Sequence, residues 1–502
     1  MESNPLKHWQ YVLLILIILA SGFLVYKIHY SFTGRYFDPY SANIQVEGKN
    51  IYYPYPYHAD EWTHMASGIY LVEEGKIPKI NPYSGWKHTD LEPGFHVFLG
   101  LLFMIMDPVK SYQFFPAFNA MLLSLAIFFF VYVLTKKYYA GLLSAIFAAS
   151  IQSNINIQGS WFFLPFTFGL SLMFLTLALY FSKRYIIAGI LLLMTATVYP
   201  IAAIIAFGTG LLYEFLQGRL KKYWHYGLGT LAIIFSLIIL FRKKIPLINF
   251  EYGWTPVFEH TYVPWDIYGW VGIIFAVIGL AFVIFRKEYK NKIISPMYIM
   301  LITIIPMLMY MLFRFSIIIP YQRSFVYFMY GFAIFSGLGL YYSCLYLSHL
   351  LKHLRWNKYL SMGIVGLIVL LSVVTSFIGY YTIKDDRFLL THYVTDEDYN
   401  ALMWINQNYG VTDLHTIMMS DMFAAYSVYP IARIKTVAVP ASNLQTGNIQ
   451  RVYDFYYLSK DCYTKIQSMR QGKATLAYSA YPINCQELKE VYNKGRYIYE
   501  LI

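Results

Sequence analysis

The stretch YIIAGILLLMTATVYPIAAIIAFGTGLLYEFL, residues 185 to 216, decides the fold. It is apolar almost throughout, so it forms either one long helix or two helices broken at Tyr199-Pro200. Proline lacks a backbone N–H and pushes the residue before it toward extended backbone, which favours the break. The basic residues decide the matter. With a break, five clusters fall on one side of a membrane: Lys136 and Lys137; Lys183 and Arg184; Arg219, Lys221 and Lys222; Arg286, Lys287, Lys290 and Lys292; and Lys352, Arg355 and Lys358. That one-sidedness is what the positive-inside rule requires. Without the break the last two clusters change side. The break is therefore predicted, and with it about eleven transmembrane helices.

Composition agrees with a chain built around a bilayer. Of 502 residues, 58% are hydrophobic and only 13% are charged, about half the charged share of an ordinary soluble domain, roughly 25%. The net charge of +12 is explained by membrane orientation more economically than by nucleic acid, which is not expected as a partner. The predicted spans are 11–28, 113–134, 140–154, 161–181, 185–199, 200–216, 224–241, 267–285, 293–313, 323–346 and 359–381. The first is read as a retained helix with its N-terminus inside rather than a signal peptide, because no clear cleavage site follows it. The fold class is thus an α-helical polytopic membrane protein with a structured first outer loop and a small C-terminal α/β outer domain. The domains are residues 1–28, a first transmembrane helix; 29–111, the outer loop; 112–381, a multi-span bundle; and 382–502, the outer α/β domain.

The outer loop carries the chemistry. Tyr57-His58-Ala59-Asp60-Glu61-Trp62-Thr63-His64 sets two adjacent acids between two histidines at a water–lipid boundary. A helix is predicted over 60–74, with Gly75 as its C-cap, so that Asp60 and His64 share a face. Acids in a first helical turn are also favoured by the helix dipole, which is the plain structural alternative. Asp90 and Glu92 form a second acidic pair. Together with Asp60 and Glu61 they are candidates for a divalent-metal site, Mg or Mn. Residues 95–106 are apolar but too short to span, as an interfacial helix would be. Five cations break the orientation rule by lying on the outer side: Arg242, Lys243, Lys244, Arg314 and Arg323. They either bind an anionic lipid headgroup or snorkel to the interface.

In the C-terminal part, Thr395-Asp396-Glu397-Asp398 reads as a capping box opening a helix to residue 408. Short strands are predicted at 416–419, 436–439 and 496–501, and a helix at 486–492. Cys462 and Cys485 are either a disulfide, which an outer domain permits, or two free thiols.

This order of parts resembles the C-type glycosyltransferase superfamily, integral membrane enzymes that use lipid-linked sugars. The residues carrying the resemblance are Asp60-Glu61-Trp62-Thr63-His64, Glu92-Pro93-Gly94-Phe95-His96, Gln322-Arg323-Ser324-Phe325 and Lys494-Gly495-Arg496-Tyr497-Ile498-Tyr499. Glu92-Pro93 stands where the family often has Pro-Pro, and no soluble-domain signature of an oligosaccharyltransferase is found, so transfer to asparagine is not supported. The resemblance implies transfer of a sugar from a polyprenyl-phosphate donor to a glycan, lipid or protein acceptor at the outer face of the plasma membrane. Asp60 is then the expected base, Glu61 a supporting acid or metal ligand, and His64 a group that holds Asp60 in place. Arg323, Arg314, Arg242, Lys243 and Lys244 are the expected contacts for the donor phosphate. Two other classes stay open: a transporter or flippase of a lipid-linked saccharide, and a non-catalytic scaffold that binds glycans through its aromatic loops. A transporter usually buries ionisable groups within its spans, and here Glu214 alone interrupts them.

Overall fold

Tyr199 stands alone between two helices. In the computed structural model its backbone is extended (φ −154°, ψ 101°), and its N–H closes the preceding helix onto the Thr195 carbonyl at 2.7 Å. Pro200 opens the next helix, at a position where a missing N–H costs nothing. The structure describes all residues except 1–6, 31–34, 39–42, 47–53, 57, 86–89, 154–157, 219–250, 253–263, 286–291, 314, 317–318, 355–357, 383–393, 410–415, 422–423, 440–445 and 459–460. The span expected at 224–241 and the cations Arg242, Lys243, Lys244 and Arg314 lie outside the described residues.

In chain order the helices are α1 (His8–Tyr30), α2 (Ala59–Glu74), α3 (Pro93–Phe103), α4 (Pro108–Tyr112), α5 (Phe115–Thr135), α6 (Tyr138–Ala149), α7 (Pro165–Phe181), α8 (Tyr185–Val198), α9 (Pro200–Leu216), α10 (Pro264–Phe285), α11 (Ser295–Phe313), α12 (Tyr321–His353), α13 (Lys358–Thr382), α14 (Asp396–Tyr409), α15 (Ala425–Ala432), α16 (Thr446–Tyr453) and α17 (Cys462–Gly472). The strands are β1 (Arg35–Asp38), β2 (Asn43–Val46), β3 (Glu251–Tyr252), β4 (Phe315–Ser316), β5 (Ile417–Met419), β6 (Lys435–Thr436), β7 (Leu476–Ser479), β8 (Leu488–Asn493) and β9 (Tyr497–Leu501). They form two compact units.

The first unit comprises Met1–Tyr26 and Phe115–Lys384. Among the described residues six helices are long and apolar enough to cross a membrane: α1, the α4–α5 stretch, α10, α11 (with the three residues before it), α12 and α13. Helices α6, α7, α8 and α9 are apolar but shorter. The chain reverses at Tyr199-Pro200, because Tyr185 near one end of the α8–α9 pair and Glu214 near the other line the same cavity. Helix α12 forms the centre of the bundle. Its Phe325, Tyr327, Tyr330, Ala333, Ile334, Phe335 and Leu338 are fully buried, and it packs against α10, α6 and α11. Glycines let backbones approach there: a Cβ on Gly279 of α10 would stand 2.8 Å from the Gly339 nitrogen of α12.

The second unit comprises Lys27–Phe114 and Asp385–Ile502, so the first loop and the C-terminal part form one body. Its five-stranded sheet runs β6-β5-β7-β9-β8. Strand β5 is parallel to β6 and β7, whereas β9 is antiparallel to β7 and β8. The core on this sheet includes Met419, Val452, Phe455, Met469 and Ala477, all fully buried. Cys462 and Cys485 are joined as a disulfide, with Cα atoms 5.4 Å apart. Thr395 and Asp398 form the expected box: Thr395 N–H donates to Asp398 Oδ2 at 2.7 Å, and Asp398 N–H to Thr395 Oγ1 at 3.3 Å.

One element differs from its sequence reading. Residues 488–493 form strand β8, not a helix, and pair with β9. Leu488 and Tyr492, the buried residues of this strand, are four apart, a spacing that fits a helix face and a strand face alike. Pairing with β9 overrides the helix preference of Glu487, Leu488, Lys489 and Glu490.

Candidate functional site

Helix α2 is fixed at its start by a network that also presents the acids. His58 is the N-cap, and its Nδ1 accepts from Asp60 N–H at 3.1 Å. Glu61 reaches back to accept from His58 N–H at 3.1 Å, completing a capping box. Gly75 closes the helix in the left-handed region (φ 65°), as predicted for a C-cap. Two contacts, the first of them buried, lock α2 to the C-terminal segment of the same unit. Tyr83 OH donates to the Tyr426 carbonyl at 2.7 Å and lies 3.1 Å from that of Trp62. Glu73 pairs with Arg433 Nε at 3.1 Å and accepts from Tyr429 OH at 3.1 Å.

The two adjacent acids are treated differently by this architecture. The Asp60 side chain is 36% exposed, with its Oδ2 3.5 Å from His58 Nδ1. That nitrogen cannot both accept from Asp60 N–H and donate to Asp60 Oδ2. The cap contact is the shorter, so His58 Nδ1 serves the Asp60 N–H. Glu61 is fully buried. Its carboxylate accepts from the helix start, at the His58 N–H.

His64 Nδ1 meets His96 Nε2 at 3.0 Å. His96 Nδ1 in turn meets Asp90 Oδ2 at 2.7 Å, and Asp90 Oδ1 accepts from Glu92 N–H at 2.8 Å. A carboxylate only accepts, so His96 carries its hydrogen on Nδ1. Asp90, His96 and His64 thus form one hydrogen-bonded chain. Burial alone would raise the Asp90 carboxyl. The hydrogen bond and charge of His96, the Glu92 N–H and the charge of His64 outweigh it and hold the carboxyl below its ordinary range. Glu92 Oε2 stands 3.9 Å from His64 Nδ1.

Of the four carboxylates expected to share a metal, Glu61 accepts from His58 N–H, Asp90 meets His96, and Glu92 Oε2 stands near His64. Among the described residues no group of three or more His, Cys, Asp or Glu side chains is placed to hold a metal ion.

Arg323 belongs to the other unit. It lies in the first turn of α12, where Nη1 donates to Gln158 Oε1 at 2.7 Å. Its guanidinium stacks on the Phe166 ring, with Cζ 3.7 Å from the centroid. Both partners come from the region between α6 and α7 and the start of α7. Gln158 had no signal in the sequence, being 165 residues from its partner. His96 was quoted within a motif, but its role depends on Asp90 six residues earlier and His64 on another helix.

No protein-family model matches the chain, and no curated protein matches it. Solved structures do. The Archaeoglobus fulgidus oligosaccharyltransferase tethered to an acceptor peptide with the NVT sequon aligns with a TM-score of 0.59 at 12% identity, over 94% of this chain and 69% of that one. The same archaeal enzyme, AglB, in complex with an inhibitory peptide and a dolichol-phosphate aligns at TM-score 0.53 and 11% identity, over 94% and 69%. ArnT from Cupriavidus metallidurans in the apo state aligns at TM-score 0.49 and 11% identity, over 97% of each chain. The chain shares the fold of the archaeal oligosaccharyltransferase structures.

Proposed function

We propose that this chain, having the C-type glycosyltransferase fold, is a membrane glycosyltransferase that moves a sugar from a polyprenyl-phosphate donor to an acceptor hydroxyl with inversion. The observation that supports the proposal is Asp60: a carboxylate 36% exposed in the first turn of α2, whose backbone N–H is held by the His58 cap. Asp60 takes the proton of the acceptor hydroxyl as the acceptor oxygen bonds to the anomeric carbon. The bond from that carbon to the phosphate oxygen breaks, and the electron pair leaves with the polyprenyl phosphate. Within its own unit, Arg323 has its fork oriented by Gln158 and Phe166 and is suited to a phosphate of the lipid donor. His64, held by His96 and Asp90, positions substrate beside Asp60. The lipid-linked donor is supported by the archaeal neighbour that carries a dolichol-phosphate. The acceptor belongs to the class of glycan, lipid or protein hydroxyls.

The chain is proposed to reside in the plasma membrane, with the first loop and C-terminal part outside. The hydrogen bond from Tyr83 to Tyr426 joins the two segments within one unit, which supports a common side. Cysteine labelling near positions 85 and 410 tests it; labelling from opposite faces removes this topology.

The activity is tested by incubating purified protein with polyprenyl-phosphate sugars and acceptors. Release of polyprenyl phosphate with an inverted anomeric centre is expected. Movement of intact donor across a vesicle membrane without cleavage would replace this reading with a flippase.

A further inference from the structure

Three turns of the bundle meet at the end opposite Arg323. The α5–α6 turn brings Lys137, the α7–α8 turn brings Lys183, and Lys292 stands just before α11. All three line one cavity of about 550 Å³, together with Tyr180, Glu214 and Gln217. Lys292 Nζ is held there by the Phe181 carbonyl at 3.3 Å. Glu214 is the one acid among the lining residues, and its Oε1 accepts from Tyr180 OH at 2.6 Å. Three lysines against one glutamate leave the lining at net +2. Beside it runs a second space of about 380 Å³ between α7, α8 and α9, lined by residues such as Leu177, Leu192, Phe207 and Leu211. The two share Tyr180, Tyr185 and Glu214 as walls, so the cationic chamber opens onto the apolar groove.

We infer that this pair of spaces binds an anionic glycerophospholipid of the phosphatidylglycerol type. Its phosphate sits among Lys137, Lys183 and Lys292, and one acyl chain lies in the groove between α8 and α9. Charge complementarity selects the phosphate. Glu214 disfavours a second negative charge and accepts from a headgroup hydroxyl, which matches glycerol. The concentration of lysines assigns this end to the cytoplasmic leaflet, where anionic lipids attract basic segments. The site shares no lining residue with Arg323 or its partners, and does not depend on the proposed transfer reaction.

The full chain, purified in detergent, tests the inference through its thermal unfolding midpoint during lipid titration. Phosphatidylglycerol is expected to raise the midpoint saturably, while phosphatidylcholine and inorganic phosphate at the same concentration leave it unchanged. Changing Lys137→Gln, Lys183→Gln and Lys292→Gln together should raise the half-saturating lipid concentration tenfold or more. Gly189→Leu tests the groove without touching charge: a Cβ there meets nothing within 4 Å, and leucine favours a helix over glycine. It should weaken the lipid response similarly and leave the lipid-free midpoint unlowered. An equal response to phosphatidylcholine, an equal response to inorganic phosphate, or an unaltered titration in Gly189→Leu overturns the inference. If the triple variant does not fold, retention of phosphatidylglycerol by wild type and its loss from Gly189→Leu in native mass spectrometry decides the same question.

Discussion

Asp90→Asn removes the charge that sets the Asp90–His96–His64 chain while keeping its shape. In the wild type, two donors converge on a side chain only 4% exposed: Glu92 N–H at 2.8 Å and His96 Nδ1–H at 2.7 Å. Asparagine offers one oxygen to those two donors and adds donors of its own. Either Glu92 N–H or His96 Nδ1 then loses its charged acceptor. Losing a hydrogen bond to a charged group costs about 1.5–3 kcal/mol, or roughly 10- to 150-fold in the folded-to-unfolded ratio at about 1.4 kcal/mol per tenfold. The pH dependence follows from the direction of the Asp90 shift. Its folded carboxyl lies below the ordinary value, so its stabilisation is present above about pH 4, the unfolded value, and is lost as pH falls through the folded one. Denaturant unfolding of both proteins from pH 8 to pH 3 is the assay. Asp90→Asn should be less stable at pH 7, with the gap steady down to about pH 5 and narrowing below pH 4. Equal stability at pH 7 would refute the reasoning, because a buried acceptor of two donors cannot be neutralised without cost.

Three further outcomes are expected. Arg323→Ala should raise the donor concentration needed for transfer, and Arg323→Lys should recover only part, since lysine lacks the planar fork; unchanged donor dependence would leave Arg323 as a packing residue on Phe166. Arg496→Ala strips a partner from Asp398, whose side chain is 8% exposed and bonded to Arg496 Nε at 2.5 Å; stability should fall by about 3–5 kcal/mol, and a loss under 1 kcal/mol would count against the pair. Gly339→Ala should cost about 1–3 kcal/mol, because it wedges α10 from α12, whereas Gly363→Ala on α13, where a Cβ meets nothing, should not destabilise in the same melting assay.

The bundle was largely legible because its rules are local. Tyr199-Pro200 breaks the helix through proline's effect on its own neighbours, and the lysines mark one end regardless of packing. The caps of α2 and α14 were legible for the same reason: Gly75, Thr395 and Asp398 act within one turn. The site was legible in its residues but not in its bonding. Asp60, Glu61, His64, Asp90 and Glu92 were all singled out, yet which acid is buried depends on how α3 packs against α2. The contact of His64 with His96 was not legible, because His96 comes from α3, 32 residues further along the chain. Strand β8 was misread because its propensity points to a helix and only β9 supplies the contrary instruction.

The central claim is that Asp60 takes the acceptor proton, and Asp60→Asn tests it most directly. The His58 cap holds the backbone N–H of residue 60, so the substitution leaves the start of α2 intact. Single-turnover transfer by purified wild type and variant, with donor and acceptor saturating, is the measurement. The account predicts an unchanged unfolding midpoint and a transfer rate lower by about 10²- to 10⁴-fold. A folded Asn variant within a few-fold of wild type would contradict it.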